Sequence, residues 1–181
     1  MVRTISLALA LAALPAAAQH AHPGHHQPPS PYAGQEDRAI KALDPADVKA
    51  LLDGAGHGFA KAAELNRYPG PLHALELAPA LGLDGGQSAA LAESRARMSA
   101  EAKRLGAAVV EAEGRLDRLF AGGAAEPAAV ARLTAEIGAL TGALRAVHLN
   151  AHIETRAILT PAQVERYGAL RGYGQAGHRH P

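Results

Sequence analysis

From Gly85 to about Ala121, apolar side chains recur every seven residues at Leu91, Met98, Leu105, Ala112 and Leu119, with Ala102, Val109 and Leu116 beside them. That spacing draws one apolar stripe along a single long helix. The segment AGGAAEP then breaks the pattern. A second stripe follows from Pro127 to about Ile158, at Val130, Leu133, Ile137, Leu140, Leu144, Val147 and Ala151, in alternating steps of three and four. Two long helices joined by a short Gly-rich link fold back on each other as an antiparallel hairpin. No segment alternates with period two, so no sheet is expected and the fold class is all-α.

Shorter helices flank the hairpin. The stretch LDPADVKALLDG starts one at Asp44, with Pro45 at the first helical position, where a missing amide does no harm. A second piece is expected from His57 to Asn66, ending before the turn-forming RYPGP, and a third from Leu72 to Leu81, which Pro79 must bend or end. After the second long helix comes LTPAQ, Leu159 to Gln163. Thr160 can cap the amides of a final helix, Pro161 fits its first position, Gln163 can reach back to the cap residue, and Leu159 and Val164 are placed as a hydrophobic staple. LDPADV, from Leu43, matches LTPAQV in four of six positions, and LDGGQS keeps Leu83, an N-cap residue in Asp84, and Gln87. As helix starts, each contributes roughly 1 kcal/mol.

Composition adds a location and removes several functions. Residues 1–18, MVRTISLALALAALPAAA, carry one basic residue, a short apolar run and a small-residue end, the build of a cleaved secretory signal, so a periplasmic protein is expected. No later segment approaches the ~20 apolar residues of a spanning helix, so no membrane span is expected after cleavage. Loss of the leader removes Arg3 and no acid, which leaves equal numbers of basic and acidic residues and no basic footprint for nucleic acid. There is no cysteine, hence no disulfide and no thiolate ligand or nucleophile. Residues 19–34 and 174–181 are His-bearing, Pro- or Gly-rich and nearly without apolar residues, and are expected to be disordered tails around an all-helical domain at 35–173. Abundant alanine and only two Phe imply thin helices and a modest core, for which a homodimer interface is a further source of stability.

An exported, cysteine-free helical chain with an L-x-x-x-Q box opening its first long helix and a full LTxxQ box after its second resembles the LTxxQ-motif periplasmic family, the CpxP/Spy-like chaperones and related heavy-metal sensor and resistance proteins. The resemblance covers roughly Tyr68 to Tyr173. Leu159, Thr160 and Gln163 match the motif fully, and Leu83, Asp84 and Gln87 match it with Asp in place of Thr, a change that keeps the capping chemistry. The resemblance implies a bent helical hairpin that dimerises into a curved cradle, and a role in envelope stress, chaperoning or metal sensing.

Ten histidines are about twice the number expected for this length. Six lie in the tails, at His20, His22, His25, His26, His178 and His180, where neutral imidazoles suit Zn²⁺, Cu²⁺ or Ni²⁺ without any fold. His148 and His152 are four apart on the second long helix, about 6 Å between Cβ atoms, close enough to share an ion. Helical projection places them at the border and flank of the apolar stripe, partly exposed, with Glu154 turned towards the seam and poorly placed as a third ligand. His57, between glycines, and His73, at a helix start, are expected to be structural or solvent-facing. A Gly-x-Ser-x-Gly elbow, a phosphate-binding glycine loop and HExxH are all absent, so no enzyme is expected. The first expected function is therefore divalent-metal binding through histidines, with no obligatory metal. The alternatives are a nucleotide-independent chaperone for unfolded polypeptides and a regulatory partner of a membrane-bound sensor.

Overall fold

The computed structural model describes residues 30–173. The expected signal at 1–18, most of the N-terminal tail, the C-terminal tail and the six tail histidines lie outside the described residues. The chain divides after Ala33, and the first unit contributes one turn, in which the Ala33 N–H donates to the Ser30 carbonyl. The second unit is all-α: α1 (Pro45–Leu52), α2 (Lys61–Glu64), α3 (Pro71–Glu76), α4 (Ala78–Leu81), α5 (Gly85–Ala121), α6 (Pro127–Ile158) and α7 (Pro161–Leu170).

The two long helices have the bounds that their stripes predict, and they run antiparallel. Ser94 of α5 donates to Glu154 near the end of α6 at 2.6 Å, whereas Arg115 of α5 pairs with Glu136 towards the start of α6. All three capping boxes form. The Asp47 N–H donates to Asp44 at 2.8 Å, Gln87 N–H to Asp84 at 2.7 Å and Gln163 N–H to Thr160 at 3.3 Å, and each third-position side chain accepts from its cap residue in return. Leu159 and Val164 are both buried in one cluster, so the staple around Thr160 closes.

One expectation for the short helices needs correction. The piece expected over 57–66 is only the single turn of α2, because His57 takes φ +41° and Gly58 φ +75°, left-handed values that a helix cannot contain. The helix expected over 72–81 is interrupted as Pro79 requires: it divides at Leu77 into α3 and α4, since Pro79 has no N–H to continue the ladder. Gly82, at φ +64°, then ends α4, and Asp84 restarts the chain as α5.

The core has two parts. Ala74, Leu81, Leu91, Leu159, Val164 and Tyr167 pack where the capping boxes of α5 and α7 meet. Leu51, Ala102, Leu105, Val109 and Leu144 pack where α1 crosses the hairpin. That crossing is close because Gly106 has no side chain: a Cβ there would lie 2.0 Å from the Leu51 carbonyl oxygen. Beyond it the hairpin continues as two helices alone, still bridged by Arg115 and Glu136, and its stripe residues are half-buried. No residue from 115 to 143 is buried, although the apolar stripes continue through Leu116, Leu119, Val130, Leu133, Ile137 and Leu140.

Candidate functional site

The two motif glutamines meet. Gln87 and Gln163, each at the third position of its helix, lie side chain to side chain at 2.8 and 3.0 Å. The Gln87 amide also donates to the Ile158 carbonyl at 3.0 Å, and the Gln163 amide to the Gly82 carbonyl at 3.3 Å. One side chain therefore caps its own helix with its oxygen and ties down the end of a different helix with its nitrogen. The boxes fasten the base of the hairpin: α5 begins, α6 ends and α7 begins at one cross-linked point.

The histidine pair differs from its sequence-based expectation. His148 and His152 are buried, 3% and 9% exposed, rather than partly exposed. The flank that helical projection left open is covered by the chain between α1 and α3. Phe59 stacks on the His148 ring at 5.8 Å and 20°, and tilts against His57 at 5.9 Å. His57 Nε2 lies 3.4 Å from Asp47. His152 Nδ1 is 2.7 Å from the Tyr68 carbonyl, which can only accept, so this nitrogen carries the proton. The Cε1 and Nε2 atoms of the ring would lie 2.9 and 3.0 Å from a Cβ at Gly70, so the glycine leaves room for the imidazole. Burial, reinforced by neighbouring His152, holds the His148 imidazole below the usual histidine range, and His148 Nε2 has no hydrogen-bond partner.

Behind His152 lies a carboxylate hub. Glu64 Oε2 is 3.5 Å from His152 Nδ1, while Glu64 Oε1 accepts from the Tyr167 and Tyr173 hydroxyls at 2.6 and 2.8 Å. Burial, and then the bond to Glu64, pushes both phenols above their ordinary range. This hub joins α2, α6 and α7 and was not anticipated; nothing in the spacing of Glu64 and Tyr167 signals it. Glu154 does face the seam as expected, bound by Ser94 and by Arg97 at 3.1 Å. Among the described residues no three His, Asp or Glu side chains converge on one point that could hold an ion. His73 lies half-buried on α3.

At the far end the helices flank an open groove of about 570 Å³. Leu119 and Leu133 form its apolar floor, and Arg115, Arg118, Arg132 and Glu136 its rim. Phe120, beside it, is 59% exposed. No helix among the described residues is long and apolar enough to cross a membrane. No family model, curated protein or solved structure matches the chain.

Proposed function

We propose that the chain is an exported binding protein of the LTxxQ kind that holds unfolded polypeptides, without nucleotide, along the half-buried part of the α5–α6 hairpin at residues 115–143. The observation that carries this reading is the mismatch between pattern and burial. The apolar stripes continue through residues 115–143, yet the fold leaves every stripe position there only half-buried, with Phe120 59% exposed beside them. Half-covered apolar side chains edged by charge suit reversible contact with other chains. The interlocked Gln87 and Gln163 support the family reading, because they give both copies of the motif one mechanical task. The secretory signal expected from the sequence of residues 1–18 supports export. Suppression of a thermally unfolded client's aggregation, without nucleotide and unaffected by chelator, tests the proposal. A homodimer that used residues 115–143 would bury this surface, and suppression would then fail.

A second reading concerns divalent metals. His152 Nδ1 is engaged by Tyr68 and both imidazoles are covered, so the binding capacity expected from composition is assigned to the six tail histidines. Isothermal titration of Zn²⁺ into the full chain, with and without those six histidines, tests the assignment.

A further inference from the structure

The groove at the turn end of the hairpin, beside the link between α5 and α6, has an excess of positive charge over an apolar floor. Three guanidinium groups, Arg115, Arg118 and Arg132, border it, and they share one carboxylate, Glu136. That carboxylate is taken by Arg115, whose charge Glu111 also offsets from along α5. Arg118 and Arg132 are exposed and have no acidic partner among the described residues. Asp117, the acid next to Arg118 in sequence, instead binds Lys41 at 3.5 Å and accepts from its backbone amide at 3.1 Å. Even Arg115 is incompletely satisfied, since its Nε is a buried donor without an acceptor. Between the arginines, Leu119 and Leu133 are only half-buried.

We propose that this groove selects peptide segments in which apolar residues alternate with acidic ones, the apolar side chains seating on Leu119 and Leu133 and the carboxylates pairing with Arg118 and Arg132. The inference rests on the polypeptide-holding reading and narrows its substrate class. Charge complementarity is the basis. An arginine fork matches a carboxylate in two parallel hydrogen bonds, and complementary rims set preference and encounter rate more than total affinity. An apolar chain without acids would leave both guanidinium groups unpaired at the edge of the contact, and a basic one would be repelled. An anionic membrane surface is the competing occupant. It is disfavoured because the arginines flank a concave floor between two helices, where a short extended segment fits and a broad bilayer does not.

The test is fluorescence anisotropy of the full chain with three short labelled peptides, alternating leucine with aspartate, with asparagine or with lysine. The aspartate peptide should bind about tenfold tighter than the asparagine peptide at low salt, with most of the preference lost near 0.5 M salt. Arg118→Gln with Arg132→Gln should abolish the preference, so that the variant binds the aspartate and asparagine peptides equally. Both side chains are exposed, and unchanged circular dichroism will confirm that the variant is folded. Equal binding of the aspartate and asparagine peptides by the wild-type chain, or a preference that survives in the variant, would overturn the inference while the polypeptide-holding reading stands. Failure of all three peptides to bind would overturn both. Arginine-dependent binding to phosphatidylglycerol vesicles without peptide binding would replace the peptide by a membrane surface.

Discussion

Gln87 and Gln163 lie in mutual contact across the base of the hairpin, each completing its own helix cap and donating to the end of another helix. Because each amide serves two elements, the pair is coupled. Gln163→Ala and Gln87→Ala should each cost about 1–2 kcal/mol in urea denaturation, the sum of a lost cap and a lost cross-link. The double substitution should cost less than the sum, by about 0.5 kcal/mol or more, because either change removes the shared bond. Strict additivity would mean that the two boxes act as independent helix starts.

Gly106 sets the crossing of α1 over α5. A methyl group there would lie 2.0 Å from the Leu51 carbonyl oxygen, a backbone atom that cannot rotate away. Gly106→Ala should therefore destabilise by about 3 kcal/mol, despite alanine's better helix propensity, by lifting α1 and breaking up the cluster around Leu51 and Leu144. Gly138→Ala, where the added methyl group meets nothing within 4 Å, is the control and should be neutral or stabilising. Equal effects at the two positions would contradict the close crossing.

The buried His148 predicts a pH dependence of known sign. Its folded pKa lies below the unfolded value of about 6.5, so between those two values the unfolded chain binds more protons than the folded one. The stabilising effect of keeping this ring neutral is complete above about pH 6.5 and is lost as the pH falls below it. Urea midpoints should drop between pH 7.5 and pH 5.5, and His148→Leu should flatten that slope. A variant with the wild-type slope would assign the dependence to another group.

Metal binding, as assigned above, should depend on the tails. Substitution of His20, His22, His25, His26, His178 and His180 should abolish calorimetric Zn²⁺ binding, whereas His148→Ala with His152→Ala should leave it intact but lower the melting temperature. Binding should also weaken below about pH 6, as imidazoles protonate. The reverse result, loss only in the helical double variant, would return the ion to the buried pair.

Much of the fold was legible because its determinants are local. Seven-residue and three-four periodicity fixed α5 and α6 to their end residues, and Asp44, Asp84 and Thr160 marked their helix starts through capping chemistry that a sequence shows directly. The short helices were less legible. The break at Pro79 is visible in the sequence, but the late start of α2 depends on left-handed His57, and the placement of these helices on docking that no period records. The exposure of His148 and His152 was misjudged for the same reason: helical projection knows only the partner helix, and Phe59 and Tyr68 arrive from a segment with no pattern. Likewise, the stripes indicated an apolar seam along the whole hairpin, but not that its far half is only half-buried.

The most direct measurement is NMR chemical-shift mapping of the labelled full chain during titration with a permanently unfolded client protein. The expected result is perturbation concentrated in residues 115–143, including Leu119, Phe120 and Leu133, with the base around Gln87 and Gln163 unchanged. Perturbation confined to the base, or none at client concentrations that saturate aggregation suppression, would contradict the assignment of residues 115–143 as the binding surface.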